Sequence, residues 1–209
     1  MSVAVVRART NGTFTLDDDT IAVENNVWVI GDAREALVVD APHELTPILE
    51  AVAGRRVLGI VCTHGHNDHV NCARQLAGAT LAPVLLHPAD RMLWDRVHPE
   101  AAPDRELADG DSLTVGGARL RVVHTPGHTP GSVCLYWPDG GRLFSGDTLF
   151  RGGPGATGRA YSDFGAIIGS IRSRLLVLPP DTTVHPGHGD DSTIGAETPQ
   201  LDAWVRRGH

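Results

Sequence analysis

Apolar positions follow two different periods along this chain, and the change of period divides it into stretches of different predicted structure. Residues 20–30 and 36–39 have the apolar character of strands, and Gly31 and Asp32 between them are typical of a hairpin turn. From residue 43, helical spacing alternates with short buried runs, which predicts helices at 43–53, 68–76 and 88–97 and strands at 57–62 and 82–86. This order is that of a βαβα passage.

After residue 110 the period of the apolar positions returns to two. Strands are predicted at 112–115, 118–123, 132–137 and 142–144, and the Gly- and Pro-containing turns between them indicate a meander. A helix capped by Ser162 and Asp163 extends to about residue 177, followed by a strand at 182–185 and a helix at 199–206. This order of elements predicts two β-sheets with helices on their outer faces, in a single domain of residues 1–209.

The composition is that of an ordinary globular protein. The 209 residues are 41% apolar and 21% charged, which excludes disordered and fibrous classes and provides for one sizeable core. No apolar run approaches the roughly 18 residues of a membrane span, and the first residues lack the basic and apolar regions of a secretory signal. We therefore expect a cytoplasmic protein without a membrane partner.

Charge and cysteine content narrow the range of partners. Eighteen basic residues, all of them arginine, stand against 25 acidic ones and give a net charge of −7. Because no basic cluster offsets this balance, we expect no nucleic-acid partner. The three cysteines are an odd number without zinc-finger spacing, so we expect buried, reduced thiols. The sequence leaves the oligomeric state open.

The clearest pointer to function is a cluster of histidines and acidic residues directly after the predicted strand 57–62. In the order H-x-H-x-D-H, His64 and His66 are two residues apart in an extended loop, so their side chains point the same way and can share a metal ion. Asp68 and His69 follow at the start of the next helix and point elsewhere. They are therefore available to a second ion.

Three later segments, each after a predicted strand, provide further metal ligands. His128 and His188 lie on Gly/Pro turns, and Asp147 follows the strand 142–144. Strand ends of a layered fold converge on one edge, where a site can form. We therefore expect the following grouping: His64, His66 and His128 around one ion, Asp68, His69 and His188 around the other, and the carboxylate of Asp147 as a bridge. These donors suit two divalent ions, with zinc expected and iron or manganese as alternatives.

This set of motifs resembles the metallo-β-lactamase superfamily and, within it, the glyoxalase II-like (hydroxyacylglutathione hydrolase-like) branch. The motifs that carry the resemblance are His64-x-His66-x-Asp68-His69, Gly127-His128-Thr129, Ser145-Gly146-Asp147-Thr148-Leu149-Phe150 and Pro186-Gly187-His188-Gly189. The resemblance implies an α/β fold, a four-layer αβ/βα sandwich of two mixed β-sheets with helices on the outer faces. It also implies a binuclear metal site at one edge of the sandwich.

Such a site activates water. A water shared by divalent ions can reach a pKa of about 7, so hydroxide is available at neutral pH to attack a carbonyl. Asp68 is placed to orient this hydroxide and to move a proton, which makes it the expected catalytic residue. A thiolate leaves with little help, because the pKa of a thiol is about 8.5. We therefore expect a metal-dependent hydrolase that cleaves a thioester of a small thiol carrier.

The resemblance also indicates which residues bind substrate. In glyoxalase II enzymes a basic residue and a tyrosine follow the strand of the bridging aspartate, and Arg159 and Tyr161 occupy that position here; Arg151 is a further candidate. Those enzymes carry a helical C-terminal extension that completes glutathione binding, whereas 21 residues follow His188 here. The thiol carrier therefore stays open among glutathione, mycothiol and others. The absence of lysine is typical of a GC-rich genome, which favours mycothiol bearing an S-acyl or S-formyl group.

Other functions fit the same residues. A persulfide dioxygenase-like branch of the superfamily uses one iron bound by two histidines and one aspartate, for which His64, His128 and Asp147 would suffice. A lactone or other ester hydrolase requires the same activated water. A metal-stabilised sensor or binding module is the non-enzymatic alternative, although a structural zinc site closes with four ligands.

The remaining histidines have no ligand partners in register. We expect surface or capping positions for His43, His87, His98 and His209, and packing positions beside the ligand loops for His124 and His185.

Overall fold

Two six-stranded β-sheets pack face to face in the computed structural model, which describes residues 3–17 and 19–208. The first sheet consists, in spatial order, of β1 (Ala4–Leu16), β2 (Asp19–Gly31), β3 (Glu35–Val39), β4 (Arg56–Val61), β5 (Val84–Leu86) and β6 (Arg105–Glu106). The second sheet consists of β7 (Ser112–Val115), β8 (Ala118–His124), β9 (Val133–Trp137), β10 (Arg142–Gly146), β13 (Thr183–Pro186) and β14 (Ser192–Thr193). Between β10 and β13 in the chain, β11 (Leu149–Phe150) and β12 (Gly153–Pro154) form a separate two-stranded ribbon. His209 lies outside the described residues.

Both sheets are mixed. In the first, β1, β2 and β3 pair antiparallel, whereas β3, β4, β5 and β6 are parallel neighbours. In the second, β7 to β10 form an antiparallel meander, and β13 returns to pair parallel with β10. The parallel strands β4 and β5 are those of the predicted βαβα passage, and the meander lies where the period of two predicted it, so both predictions are confirmed; β6 was not predicted.

The helices are short. They comprise α1 (Leu45–Val52), α2 (Asn67–Val70), α3 (Ala73–Thr80), α4 (Arg91–Val97), α5 (Phe164–Ser170), α6 (Ile194–Glu197) and α7 (Leu201–Arg207). Single turns of 3₁₀ helix precede α4 at Pro88–Asp90 and α7 at Thr198–Gln200. Within the described ranges, no helix combines the length and apolarity needed to cross a membrane.

Alternation along β2 explains the layering of the first sheet. Val27 and Val29 point to one face, where they pack with the apolar side of α1 and α3. Trp28 and Ile30 point to the other face, into a core shared with the second sheet. Each of these side chains is at most 5% exposed, and burial of a side chain of this size contributes about 1.5–3 kcal/mol. One strand therefore holds a helix layer on one side and the second sheet on the other.

The second sheet is covered in the same way. Cys134 and Tyr136 of β9 face away from the first sheet and pack against Ile167 and Ile168 of α5. The layers thus run helix, sheet, sheet, helix, and this confirms the predicted sandwich. The three cysteines of the chain are buried and free.

Three elements differ from the sequence-based predictions, and the short strands β6, β11, β12 and β14 and the helix α6 were not predicted. β1 was not predicted, because at the edge of its sheet it pairs only with β2 and exposes most of its residues. The predicted helix 68–76 is interrupted after α2, since the N–H of Cys72 donates to the carbonyl of Ala41. The predicted helix 162–177 is α-helical only through α5 and ends in a π-helical turn at Ile171–Leu175.

Candidate metal centre

The predicted ligands lie at one edge of the sandwich, because each follows the end of a strand at that edge. The H-x-H-x-D-H loop follows β4 and leads into α2, and the turn with His128 joins β8 to β9. Asp147 follows β10, and His188 follows the neighbouring parallel strand β13. The structure brings all seven side chains into one cluster, in which the side chain of His188 is 25% exposed and the others are at most 10% exposed.

The first group comprises His64, His66 and His128. The Nδ1 atom of His66 lies 3.1 Å from Nε2 of His64 and 3.0 Å from Nε2 of His128. All three residues are buried. Three imidazole nitrogens so close together, aimed at one point, are arranged like the ligands of one divalent ion.

The second group comprises Asp68, His69 and His188. The Nε2 atom of His188 lies 3.3 Å from both Oδ2 of Asp68 and Nε2 of His69. Oδ2 of Asp68 lies 3.6 Å from Nε2 of His69. This group therefore offers two nitrogens and one oxygen to a second ion.

Asp147 lies between the two groups. Its Oδ1 is 3.4 Å from Nε2 of His69, and its Oδ2 is 3.4 Å from Nε2 of His188 and 3.7 Å from Nε2 of His128. A Cβ atom on Gly187 would lie 2.3 Å from Oδ1 of Asp147, so only glycine lets the end of β13 come this close. Asp147 thus has carboxylate oxygens within 3.7 Å of ring nitrogens in both groups.

Hydrogen bonds at the far side of four of the five rings direct lone pairs into the cluster, whereas the far-side Nε2 of His66 is buried without a hydrogen-bond partner among the described residues. Nδ1 of His128 donates to the carbonyl of Ala156 at 2.8 Å, and Nδ1 of His188 donates to the carbonyl of Glu24 at 2.7 Å. A carbonyl oxygen accepts only, so Nδ1 carries the proton in both rings. The neutral form of each ring therefore presents its Nε2 lone pair to a metal ion.

Asp40 orients the ring of His69 directly and the ring of His64 through Thr63. It was not among the residues predicted from the sequence. It accepts hydrogen bonds from the backbone N–H and hydroxyl of Thr63 and from Nδ1 of His69, at 2.7, 2.9 and 2.9 Å. Because the hydroxyl proton of Thr63 is used by Asp40, its oxygen accepts from Nδ1 of His64 at 3.1 Å. An acidic residue directly after the buried strand β3 is the sequence feature that marks this role.

The charges of the cluster favour a cation. Burial lowers the pKa of His66 to about 3, so this ring is neutral. Burial opposes the charge of His188, yet the neighbouring Asp147 and Asp68 raise its pKa to about 10. Burial likewise opposes ionisation of Asp147, but His188 and His69 hold the pKa of that carboxyl well below its usual range. The two carboxylates thus draw positive charge into the cluster, which protons or a divalent cation supply.

Buried acceptor atoms that lack a hydrogen-bond donor indicate whether a metal ion fits this site. Within the described part of the chain, Oδ1 of Asp68 and Oδ1 of Asp147 are buried and have no hydrogen-bond partner. Leaving a buried carboxylate oxygen without a donor is costly, and metal coordination relieves that cost. The donor set of nitrogen and oxygen atoms without thiolate also suits zinc, iron or manganese. The residues present therefore fit a pair of divalent ions.

Asp90 joins the two loops that carry the first group. It is fully buried and accepts hydrogen bonds from the N–H groups of Gly65 and Gly131 and from the hydroxyl of Thr129. Burial raises the pKa of this carboxyl, against the effect of these hydrogen bonds. Because Gly65 and Thr129 neighbour ligands, Asp90 holds His66 and His128 in register.

Replacing Asp90 with alanine should lower the free energy of unfolding by about 2–4 kcal/mol, because buried N–H groups lose their acceptor. Urea titration followed by circular dichroism measures this change. Asp95→Ala is the matched control: Asp95 makes an exposed ion pair with Arg91 one turn away, and its loss should cost less than about 0.5 kcal/mol. Equal stability of the two variants would show that Asp90 does not join the loops.

A cavity of about 230 Å³ opens onto the metal cluster. Its lining consists of His66, Asp68, His128, Asp147 and His188 at the base and Phe14, Ile21, Val23, Phe150, Ala156 and Arg159 on the walls and rim. The tip of the β1–β2 hairpin thus provides one apolar wall. Sequence reasoning missed the part of this wall formed by Phe14 because β1 was not predicted.

The two predicted substrate residues have different positions. Arg159 lines the cavity, where its guanidinium lies over the ring of Phe14 at 5.0 Å and its Nε donates to Asp19 at 3.1 Å. Tyr161 is 44% exposed and is not among the lining residues. Its hydroxyl accepts from Arg96 at 3.3 Å, and the Arg96 guanidinium lies 5.5 Å from its ring.

Comparison with known proteins identifies the family. The sequence profile described as the Metallo-beta-lactamase superfamily matches residues 21–188 of this chain. The chain belongs to this superfamily. Metallo-β-lactamase superfamily proteins are mostly hydrolases, and the buried His/Asp cluster of this member has the composition of a divalent metal site.

Sequence relatives include proteins with and without an assigned function. An uncharacterised protein of Aquifex aeolicus is 38% identical over 188 residues, which cover 85% of this chain and 89% of that protein. A hydroxyacylglutathione hydrolase of Gloeobacter violaceus is also 38% identical, over 82% of this chain. The match spans 66% of that enzyme, so this chain corresponds to about two thirds of it.

Several solved structures share the fold of this chain. BLEG-1 B3 metallo-β-lactamase is 29% identical with a TM-score of 0.78, covering 91% of this chain and 97% of its own. TTHA1623, crystallised in a di-iron-bound form, is 36% identical with a TM-score of 0.73 and coverages of 90% and 96%. ETHE1 from Myxococcus xanthus is 26% identical with a TM-score of 0.74 and coverages of 88% and 82%.

Proposed function

We propose that this metallo-β-lactamase superfamily member is a binuclear metal-dependent hydrolase that cleaves the thioester of a small thiol carrier. The observation that carries the proposal is the arrangement of two three-residue donor groups with Asp147 between them. A structural zinc site needs only four ligands. Seven converging donors at the base of an open cavity favour catalysis over a structural role.

Two divalent ions, zinc in the first instance, supply an acidified water and a Lewis acid for the substrate carbonyl. The first and second groups would hold one ion each, with Asp147 in contact with both. Asp68 lines the cavity and its Oδ1 has no hydrogen-bond partner among the described residues. That oxygen is therefore available to orient a water molecule and to accept its proton.

The cavity walls support a substrate with an apolar part and an anionic part. Phe14, Ile21, Val23 and Phe150 surround the approach to the cluster, and they exclude water from the reacting carbonyl. Among the residues that line the cavity, Arg159 is the charged residue that is not a proposed metal ligand. Its exposed pair with Asp19 is worth less than about 1 kcal/mol, so an anionic group of the thiol carrier can replace Asp19 at little cost.

The sequence identity of 36–38% with hydroxyacylglutathione hydrolases supports a thioester as the substrate. A mononuclear iron enzyme of the persulfide dioxygenase type is the second candidate, and the likeness to ETHE1 from Myxococcus xanthus favours it. The full set of seven donors favours two ions, whereas the dioxygenase type needs three ligands.

Metal analysis of the purified protein together with a panel of thioesters, lactones and β-lactams tests the proposal. We expect two ions per chain and turnover of thioesters. One iron per chain with persulfide-dependent oxygen uptake would establish the second candidate instead. Turnover of lactones without turnover of thioesters would support a metal-dependent hydrolase but contradict a thioester of a thiol carrier as its substrate.

Replacing Arg159 with alanine should raise KM for an anionic thioester by about tenfold and leave kcat within about twofold, because the guanidinium binds the carrier outside the reacting bond. Steady-state kinetics with an anionic and a neutral thioester separate charge recognition from a general loss. Arg151→Ala is the control, since Arg151 is 66% exposed and pairs with Asp190 outside the cavity lining. Equal KM values for the native protein and the Arg159 variant would show that Arg159 does not bind the substrate.

A further inference from the structure

Asn25 lies in β2 and points its side chain at the second group of ligands. It is fully buried. Its Nδ2 atom is 2.7 Å from the carbonyl oxygen of Asp68, 3.2 Å from Oδ2 of Asp68, 3.3 Å from Nε2 of His69 and 3.4 Å from Nε2 of His188. One amide nitrogen thus contacts all three residues of that group.

The direction of this amide is determined by a chain of hydrogen bonds that begins at a backbone group. The N–H of His43 donates to Oδ1 of Asn71 at 2.6 Å, so the other end of the Asn71 amide, Nδ2, donates to Nδ1 of His43 at 3.1 Å. With Nδ1 accepting, the proton of the neutral imidazole is on Nε2, which donates to Oδ1 of Asn25 at 3.0 Å. Oδ1 of Asn25 therefore faces His43, and Nδ2 faces the ligands.

The surrounding backbone keeps this chain in place. His43 has a φ of 52°, and a Cβ atom on Gly12 of β1 would lie 2.2 Å from its Nδ1, so the ring is held against the glycine backbone. Asn71 follows directly after α2, the helix that carries Asp68 and His69. The chain consequently ties β2 and the loop before α1 to the helix of the second group. His43 thus has an internal role, in contrast to the surface or capping position predicted for it.

We infer that Asn25, His43 and Asn71 form a positioning chain that holds Asp68 and keeps the Asn25 amide oxygen away from the second metal ion. An amide NH₂ donates two hydrogen bonds and offers no lone pair, so it orients the Asp68 carboxylate without becoming a ligand. If the amide were reversed, its oxygen would be an additional ligand, and a catalytic ion needs an open position for water or substrate. The inference rests on the proposed two-ion function.

Titration of the metal-free protein with Zn²⁺ against a chromophoric chelator tests the chain. Groups that orient metal ligands change affinity by about 10–100-fold when removed. We expect Asn25→Leu and His43→Phe to weaken one of the two ions by about tenfold or more and to leave the other within about twofold. His43→Gln, whose amide N–H can still donate to Asn25, should bind both ions as the native protein does.

His98→Phe is the matched control. His98 is also a half-buried histidine beside α2, and its Nε2 donates to the carbonyl of Val70 at 2.8 Å without contact to Asn25. This variant should bind both ions normally. Native affinity for both ions in the Asn25 and His43 variants would overturn the inference, and so would an equal loss at both ions.

A second measurement is independent of metal binding and of the folding of variants. The nitrogen chemical shifts of the His43 imidazole in the metal-free native protein should be those of the neutral form protonated at Nε2. Protonation at Nδ1 would overturn the inference whatever the metal content. Binding of fewer than two Zn²⁺ ions by the native protein would instead count against the proposed function, and the His43 shifts would still decide the chain.

Discussion

Asp68→Ala should lower kcat/KM for a thioester by about 10³-fold or more while the protein stays folded. Loss of a group that orients water and accepts its proton costs about 10²–10⁴-fold, and loss of one ligand of the second group adds to this. The fold is preserved because Nδ2 of Asn25 keeps its stronger contact, at 2.7 Å, with the backbone carbonyl of Asp68. Kinetics and circular dichroism on the same preparation measure the two effects.

Asp95→Ala, an exposed site on α4, provides the control for this experiment and should retain native turnover. The comparison also separates an enzyme from a metal-stabilised binding module. A module has no turnover to lose in either variant. Native rates in Asp68→Ala would show that this carboxylate neither binds a required ion nor moves a proton.

Removal of the metal ions with a chelator should abolish turnover and lower the melting temperature by about 8–16 °C. An ion present at about 1,000 times its dissociation constant stabilises the folded state by about 4 kcal/mol, and about 1 kcal/mol corresponds to 2–4 °C for a chain of this size. The physical cause is the buried negative charge of Asp68 and Asp147, each with one oxygen unpartnered among the described residues. Differential scanning fluorimetry before and after chelation, and after addition of Zn²⁺, measures the shift.

Asp147→Ala tests whether the shift comes from this centre. The variant lacks the carboxylate between the two groups, so chelation should change its melting temperature by much less than that of the native protein. A shift of the same size in both would place the stabilising ion elsewhere. An unchanged melting temperature of the native protein would contradict a resident metal.

The residues expected to bind metal could be predicted from local sequence patterns. The spacing of His64, His66, Asp68 and His69 is set within one loop and one turn of helix, where backbone geometry alone determines which side chains point together. His128, Asp147 and His188 each follow an apolar run, and the ends of such strands meet at one edge of a layered fold. These rules require no knowledge of distant contacts.

Other parts of the site depend on contacts between distant segments. β1 has few apolar positions because it lies at the edge of its sheet, and its absence from the prediction hid the wall formed by Phe14. Asp40 and Asp90 are single acidic residues in the sequence, and only their burial among N–H and hydroxyl donors reveals what they hold. Arg159 and Tyr161 are two residues apart, yet only the former lines the cavity, since the left-handed backbone of Tyr161 turns away towards Arg96.

The sequence by itself determined the βαβα passage and the meander, the class of fold and the seven donors expected to bind metal, because periodicity and ligand spacing are local properties. Only the tertiary structure decided which nitrogen of each ring faces the cluster, which residues line the cavity and that His43 is connected to the site. Asn25 and His188 are 163 residues apart in the chain, and they meet because β2 and β13 belong to sheets that pack against each other. Contacts of this kind follow from how the sheets are ordered and packed, which no local pattern encodes.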